Sequence, residues 1–210
     1  MKGIFIAFEG GEGSGKTTQI QILAKALEDQ GRKIFVTKEP GGDKSICREI
    51  RDLLLDAAHK DILDDRAELF LFLADRAQHI SKTIMPALES GHIVLCDRFA
   101  ASTFAYQFFG RAVADFEFIK KNNEFASHSI IPDLSFYIDI DPDIGIKRKE
   151  KQILSRIDAE SMEFHKKVRK GFYDFFEKLK WPVETVDGSA SIEHIHKKII
   201  ERMENLFNAP

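Results

Sequence analysis

The chain opens on an apolar run, Ile4 to Phe8, that breaks into Gly10-Gly11-Glu12-Gly13-Ser14-Gly15-Lys16-Thr17-Thr18 and passes at once into a helical periodicity. No other stretch limits the fold so narrowly. A G-x-x-x-x-G-K-[ST] loop works only between a strand that delivers it and a helix that leaves it. Its glycines let successive backbone N–H groups converge on one concavity, and the positive end of the following helix adds to the field. Gly10, Gly11, Glu12, Gly13, Ser14, Gly15, Lys16, Thr17 and Thr18 are therefore assigned to a phosphate cradle. Lys16 reaches the outer phosphates, and the Thr17 hydroxyl is placed to ligate Mg²⁺. Glu12 would repel a polyphosphate unless a cation stood between them. It is accordingly placed near Mg²⁺ or a sugar hydroxyl of a second substrate.

Strand-like and helix-like segments alternate to the end of the chain, which predicts a parallel sheet covered on both faces. The strands are read at Ile4–Phe8, Ile34–Thr37, Ile93–Cys96, Leu134–Ile140 and Val183–Val186. Ile20, Leu23, Ala24 and Leu27 mark the first helix, which stops near Gly31. A long helix is expected from Asp64 or Asp65 towards Met85, ended by Pro86, and another from about Asp158 to Lys180. The last runs from Ile192 to Phe207. No repeat or low-complexity linker divides the 210 residues, so residues 1–210 are read as one α/β domain. In such a sheet ligands bind beyond the carboxyl ends of strands. That rule selects the phosphate loop, Lys38 to Gly42, Asp97-Arg98 and Asp187 to Ser189. Asp97 is read as part of the metal neighbourhood.

Composition narrows the partners. A formal charge of −3 gives no support to a nucleic-acid reading, which would prefer a strongly basic face. No apolar run approaches the length of a membrane span. The start of the chain lacks the pattern of a secretory signal. Cys47 and Cys96 fit neither metal spacing nor a disulfide framework, which points to a reducing, cytoplasmic setting.

Four blocks then carry a resemblance. Phe8 to Thr18, Thr37-Lys38-Glu39-Pro40-Gly41-Gly42, Asp97-Arg98 and Ser102-Thr103-Phe104-Ala105-Tyr106-Gln107 resemble, in order and spacing, the thymidylate kinase family. The resemblance implies a P-loop NTPase-like three-layer fold with a five-stranded parallel sheet and a short lid at about 147–157. It implies transfer of the γ-phosphoryl group of ATP to dTMP with Mg²⁺, in a homodimer. The nearest alternative is a P-loop kinase of another pyrimidine nucleoside monophosphate. A guanine-nucleotide switch lacks support, since neither N-K-x-D nor D-x-x-G occurs.

The resemblance further implies a dTMP site of Glu39, Pro40, Arg51, Phe72, Arg76, Arg98, Ser102, Tyr106 and Gln107. Arg51 and Arg98 would clamp the acceptor phosphate. Phe72 and Arg76 lie four apart and can share a helix face, one to stack on thymine and one to donate to its O4. Tyr106 would pack near the 2′ carbon, and Gln107 would bond the base edge. The catalytic set is Lys16, Arg98, Arg148 and Arg156, with Lys149 and Lys151 in support. The sequence departs from its relatives in Phe108-Phe109 in place of glycines, in Lys38 and the lid lysines in place of arginines, and in a lid about one residue shorter.

Overall fold

The computed structural model describes residues 3–42, 46–149 and 155–208. Its centre is a five-stranded, all-parallel sheet in the order β2-β3-β1-β4-β5. The strands are β1 (Ile4–Glu9), β2 (Ile34–Lys38), β3 (Ile93–Asp97), β4 (Leu134–Asp139) and β5 (Val183–Asp187). The chain leaves β1 towards β2 on one side and later returns to β4 on the other. This reversal leaves a crevice over the end of β1, where the phosphate loop sits.

Period-two alternation divides the strand residues between two cores. Ile6 and Phe8 of β1 face a cluster with Ile20, Leu23 and Leu27 of α1 (Lys16–Asp29) and Ile195, Ile199 and Met203 of α9 (Ile192–Phe207). Phe5 and Ala7 face the opposite layer, with Ile80, Ile84 and Phe99. A third cluster lies among the helices: α3 (Asp65–His79), α5 (Ala100–Thr103), α6 (Phe116–Ala126) and α8 (Met162–Leu179). Phe104, Phe172 and Phe175 are fully buried there, each worth about 2–3 kcal/mol of apolar burial. Two shorter helices complete the set used below, α2 (Ile46–Leu55) and α7 (Pro142–Lys149).

The strand positions agree with the sequence, differing by one residue at the carboxyl ends. Two helix boundaries differ more. Pro86 does not end the long helix: a π turn, Ile80–Ile84, follows α3 and leads into α4 (Met85–Glu89), which holds Pro86 in its first turn. In an unbroken α ladder Pro86 would lack its N–H bond and press on the preceding turn. The wider turn shifts the ladder before the proline, so the helix continues. The second helix starts at Met162 rather than near Asp158, because the Ser161 side chain accepts the Phe164 N–H and caps it there. Asp158 belongs to a separate turn, accepting from the backbone and side chain of Ser155. Phe108 and Phe109 lie in a π segment, Phe104–Gly110, that packs on α8 with Phe109 seated against Gly171.

Candidate active site

Two cavities open beyond the carboxyl edge of the sheet. The larger, about 850 Å³, runs along the phosphate loop past Lys38, Asp97 and Arg148 to Gly188 and Ile192. The smaller, about 260 Å³, is lined by Phe72, Arg76, Phe99, Ser102, Tyr106 and Gln107 among others. Glu12, Glu39, Arg51, Arg98 and Lys149 line both. Three cations and two carboxylates thus form the wall where the two cavities meet.

The loop takes its shape from backbone geometry that side chains would block. Gly10 has φ 147°, and a Cβ there would meet the Ile138 carbonyl at 2.5 Å. Gly13 has φ 65° and backs on Gly145 of α7, whose carbonyl lies 2.0 Å from where its Cβ would be. This close approach lays α7 on the loop and brings its last two residues to it. Arg148 donates to the Gly188 carbonyl at 3.0 Å and to Gly13 at 3.3 Å, bridging the loop to the turn after β5.

Lys16 donates to the carbonyls of Gly10 at 3.1 Å and Gly11 at 2.9 Å and to Ser14 Oγ at 3.2 Å, folded back on its own loop. Burial and the nearby Arg98 push its ammonium down to about 8, against the pull of Asp97, Glu12 and Glu9. Thr17 Oγ1 donates to Asp97 Oδ2 at 2.6 Å. A hydroxyl beside a carboxylate, open to phosphate oxygens, is an all-oxygen donor set that fits Mg²⁺.

Arg98 follows β3 in a left-handed conformation, φ 73°, uncommon for a residue with a side chain. Its guanidinium donates to the Gly10 carbonyl at 2.8 Å, to Ser102 Oγ at 3.3 Å and to Glu12 Oε1 at 2.5 Å. Tyr106 donates to the same Glu12 oxygen at 3.0 Å, and Lys149 to the other at 3.0 Å. Burial opposes ionisation of Glu12, but Arg98, Lys16 and Lys149 outweigh it and hold the carboxyl well below the usual range. Lys149 also pairs with Asp158.

The small cavity is fixed by a buried network. Arg76 donates from Nε and Nη2 to Glu39 Oε2 at 2.9 and 2.7 Å, and from Nη1 to Thr103 Oγ1 at 2.9 Å and to Asn123. Glu39 Oε1 bonds His79 Nδ1 at 3.1 Å, and His79 Nε2 lies 2.7 Å from Thr37 Oγ1. Burial raises the Glu39 pKa less than Arg76 and His79 lower it, so the group remains a carboxylate. Arg51 donates to the Pro40 carbonyl at 2.7 Å, and Asp75 Oδ1 accepts the Gly41 N–H at 2.9 Å. These bonds hold the Glu39–Gly42 loop across α2 and α3.

Most of the sequence-assigned residues therefore converge. Phe72 is half-buried at the cavity, with Phe70 turned outward beside it. Arg156 does not reach either cavity: it is buried, paired with Glu68 and donating to the Leu54 carbonyl at 3.2 Å. Lys151 and the central part of the lid, 150–154, lie outside the described residues. Glu12, assigned to the metal or a sugar hydroxyl, is held by Arg98, Tyr106 and Lys149.

Two buried carboxylates that organise the site escaped the sequence reading. Glu9 accepts from Ser102 Oγ at 2.5 Å and from the Phe99 N–H at 3.0 Å, setting α5 beneath Arg98. Glu68 joins Gln107, Arg111 and Arg156. One signal was available for Glu68: with Phe72 and Arg76 it falls at i, i+4 and i+8 on α3, one helix face.

A family model described as thymidylate kinase matches residues 8–199. The chain is 41% identical to a thymidylate kinase of Thermoanaerobacter sp. (strain X514), covering 96% of this chain and 97% of that one. It is 42% identical to a thymidylate kinase of Pelobacter propionicus, covering 98% and 96%. The crystal structure of thymidylate kinase from Ehrlichia chaffeensis superposes with a TM-score of 0.78 at 32% identity, over 97% of this chain and 100% of that chain.

Proposed function

The chain belongs to the thymidylate kinase family, and from that premise we propose how its cleft moves the γ-phosphoryl group of ATP onto dTMP. The observation that carries this reading is the wall shared by the two cavities. ATP lies along the larger cavity with its phosphates in the loop, dTMP fills the smaller one, and the two anions meet at Arg51, Arg98 and Lys149.

A nucleoside monophosphate has a second pKa of about 6, so its phosphate is already a dianionic nucleophile at neutral pH. No general base is required. The residues align two anions and neutralise the charge between them. Lys16 exchanges its loop carbonyls for donor phosphate oxygens. Arg51 and Arg98 hold the acceptor phosphate, and Lys149 covers the transferring group. Thr17 and Asp97 would hold Mg²⁺, which when bound offsets charge on the β- and γ-phosphates. Glu12, bonded to Tyr106 at the mouth of the small cavity, serves the sugar hydroxyl. Arg148, joined to the Gly188 carbonyl, serves the donor side.

We assign Arg156 to structure rather than to transfer, given its burial against Glu68. The chain acts as one domain, 1–210, with the lid at about 147–157, in the cytoplasm. An outward face of Phe70, Phe118 and Phe125 supports a homodimer through α3 and α6.

The test is a panel of dTMP, UMP and CMP with ATP and Mg²⁺. dTMP is expected to exceed CMP in kcat/KM by at least about 100-fold, consistent with a site built to bond the base edge, and to exceed UMP through the 2′ position that Tyr106 is assigned to guard. Equal turnover of UMP or CMP would overturn the assignment.

A further inference from the structure

Glu68 is a fully buried carboxylate on α3 with no place in the transfer chemistry. Its Oε1 accepts from Gln107 Nε2 at 2.9 Å and from Arg111 Nε at 2.8 Å, and its Oε2 accepts from Arg156. Burial opposes its ionisation, but the Arg111 bond and charge, Gln107 and Arg156 hold it below the ordinary range. An ionised carboxylate only accepts hydrogen bonds. The end of the Gln107 amide that faces it must therefore be the NH₂, which fixes an orientation an isolated amide leaves free. What Gln107 retains for the small cavity it lines is the carbonyl, an acceptor.

Arg76 supplies the complement. Of the five guanidinium N–H groups, four are taken by Glu39 (two), Thr103 and Asn123, leaving one on Nη2 among the described residues. Arg76 Nη1 reaches Thr103, Gln107 stands four residues beyond Thr103, and Arg76 and Gln107 both line the small cavity, so donor and acceptor belong to one wall.

We propose that Glu68 is a specificity-determining positioning residue that, by locking the Gln107 amide, makes the cavity present a donor and an acceptor to the acceptor-and-donor edge of a 4-keto pyrimidine and reject the reversed edge of a 4-amino pyrimidine. The inference deepens the proposed function and rests on dTMP occupying this cavity. Glu68 touches no substrate.

The experiment compares kcat/KM for dTMP and dCMP, with ATP, in the parent enzyme and in Glu68→Gln and Glu68→Asp. A glutamine at 68 can either accept or donate, so Gln107 is free to turn over. The dTMP:dCMP ratio is expected to fall at least tenfold in Glu68→Gln, through loss on dTMP and gain on dCMP, and to stay closer to the parent in Glu68→Asp. A folded Glu68→Gln enzyme whose ratio lies within twofold of the parent overturns the role of Glu68 and leaves the proposed function standing. A parent enzyme that uses dCMP as well as dTMP defeats both. If Glu68→Gln does not fold by circular dichroism, neutron diffraction of the parent with dTMP decides: deuterons on the Gln107 atom facing Glu68 support the lock, and deuterons on the atom facing the base overturn it.

Discussion

At the scale of single residues, the site is a set of charges whose environments differ over a few ångströms. Partly buried Glu12 and buried Glu39 stand beside cations and stay ionised. Asp75 is buried too, but its Oδ2 has no hydrogen-bond partner among the described residues. Burial first, and then the neighbouring Glu39, push it up to about 6, although the Gly41 N–H and His79 act in the other direction. The folded protein then holds more protons on this group than the unfolded chain between about pH 4 and pH 6. Stability from Asp75 accordingly falls as pH rises through that window and is level above it. Urea unfolding of the parent and Asp75→Asn is expected to show the variant gaining relative stability across the window, by at most about 1.4 kcal/mol per pH unit, with no further change above about pH 7. A constant difference from pH 4 to pH 7 would contradict a raised Asp75. None of this was legible in the sequence. Asp75 sits beside Arg76, and only the tertiary meeting of α3 with the Glu39–Gly42 loop, more than thirty residues apart along the chain, separates the role of one from the other.

At the scale of elements, the strands were readable because parallel, doubly covered strands are continuous apolar runs, and the phosphate loop because its glycines are demanded locally. Helix ends were readable only where the cap is the residue that polarity selects. Asp64 accepts from Arg66 and Ala67, and Ser191 accepts from His194, as the pattern indicates. Before α8 two candidates, Asp158 and Ser161, compete, and the lid turn takes the first. Ser161→Ala is expected to cost about 1 kcal/mol in urea unfolding with the active-site residues untouched. A variant as stable as the parent would mean that the cap does not set this boundary. The π turn before Pro86 left no local signature, since it resolves a conflict in the backbone ladder rather than a preference of any side chain. The pairing of Arg156 was not legible for a related reason: its partner, Glu68, lies 88 residues earlier.

At the scale of the molecule, the sheet gathers residues from every third of the chain over the end of β1, and α3 and α6 leave three phenylalanines on the outside. Phe70 and Phe118 meet edge to face at 6.4 Å, and Phe125 is 86% exposed. Sedimentation is expected to give about twice the 24.0 kDa chain mass, and Phe118→Glu to shift the protein to the monomer, because a charge at the centre of an apolar interface is left without a partner. A parent that sediments as a monomer at micromolar concentration would remove the dimer. Glu12 stands among Arg98, Tyr106 and Lys149, so the cations of the cleft carry a tethered counter-ion of their own. On the proposed function the acceptor phosphate competes with that tethered carboxylate for the same cations, and its KM is expected to change less with ionic strength than it would if those cations drew their counter-ions from solution.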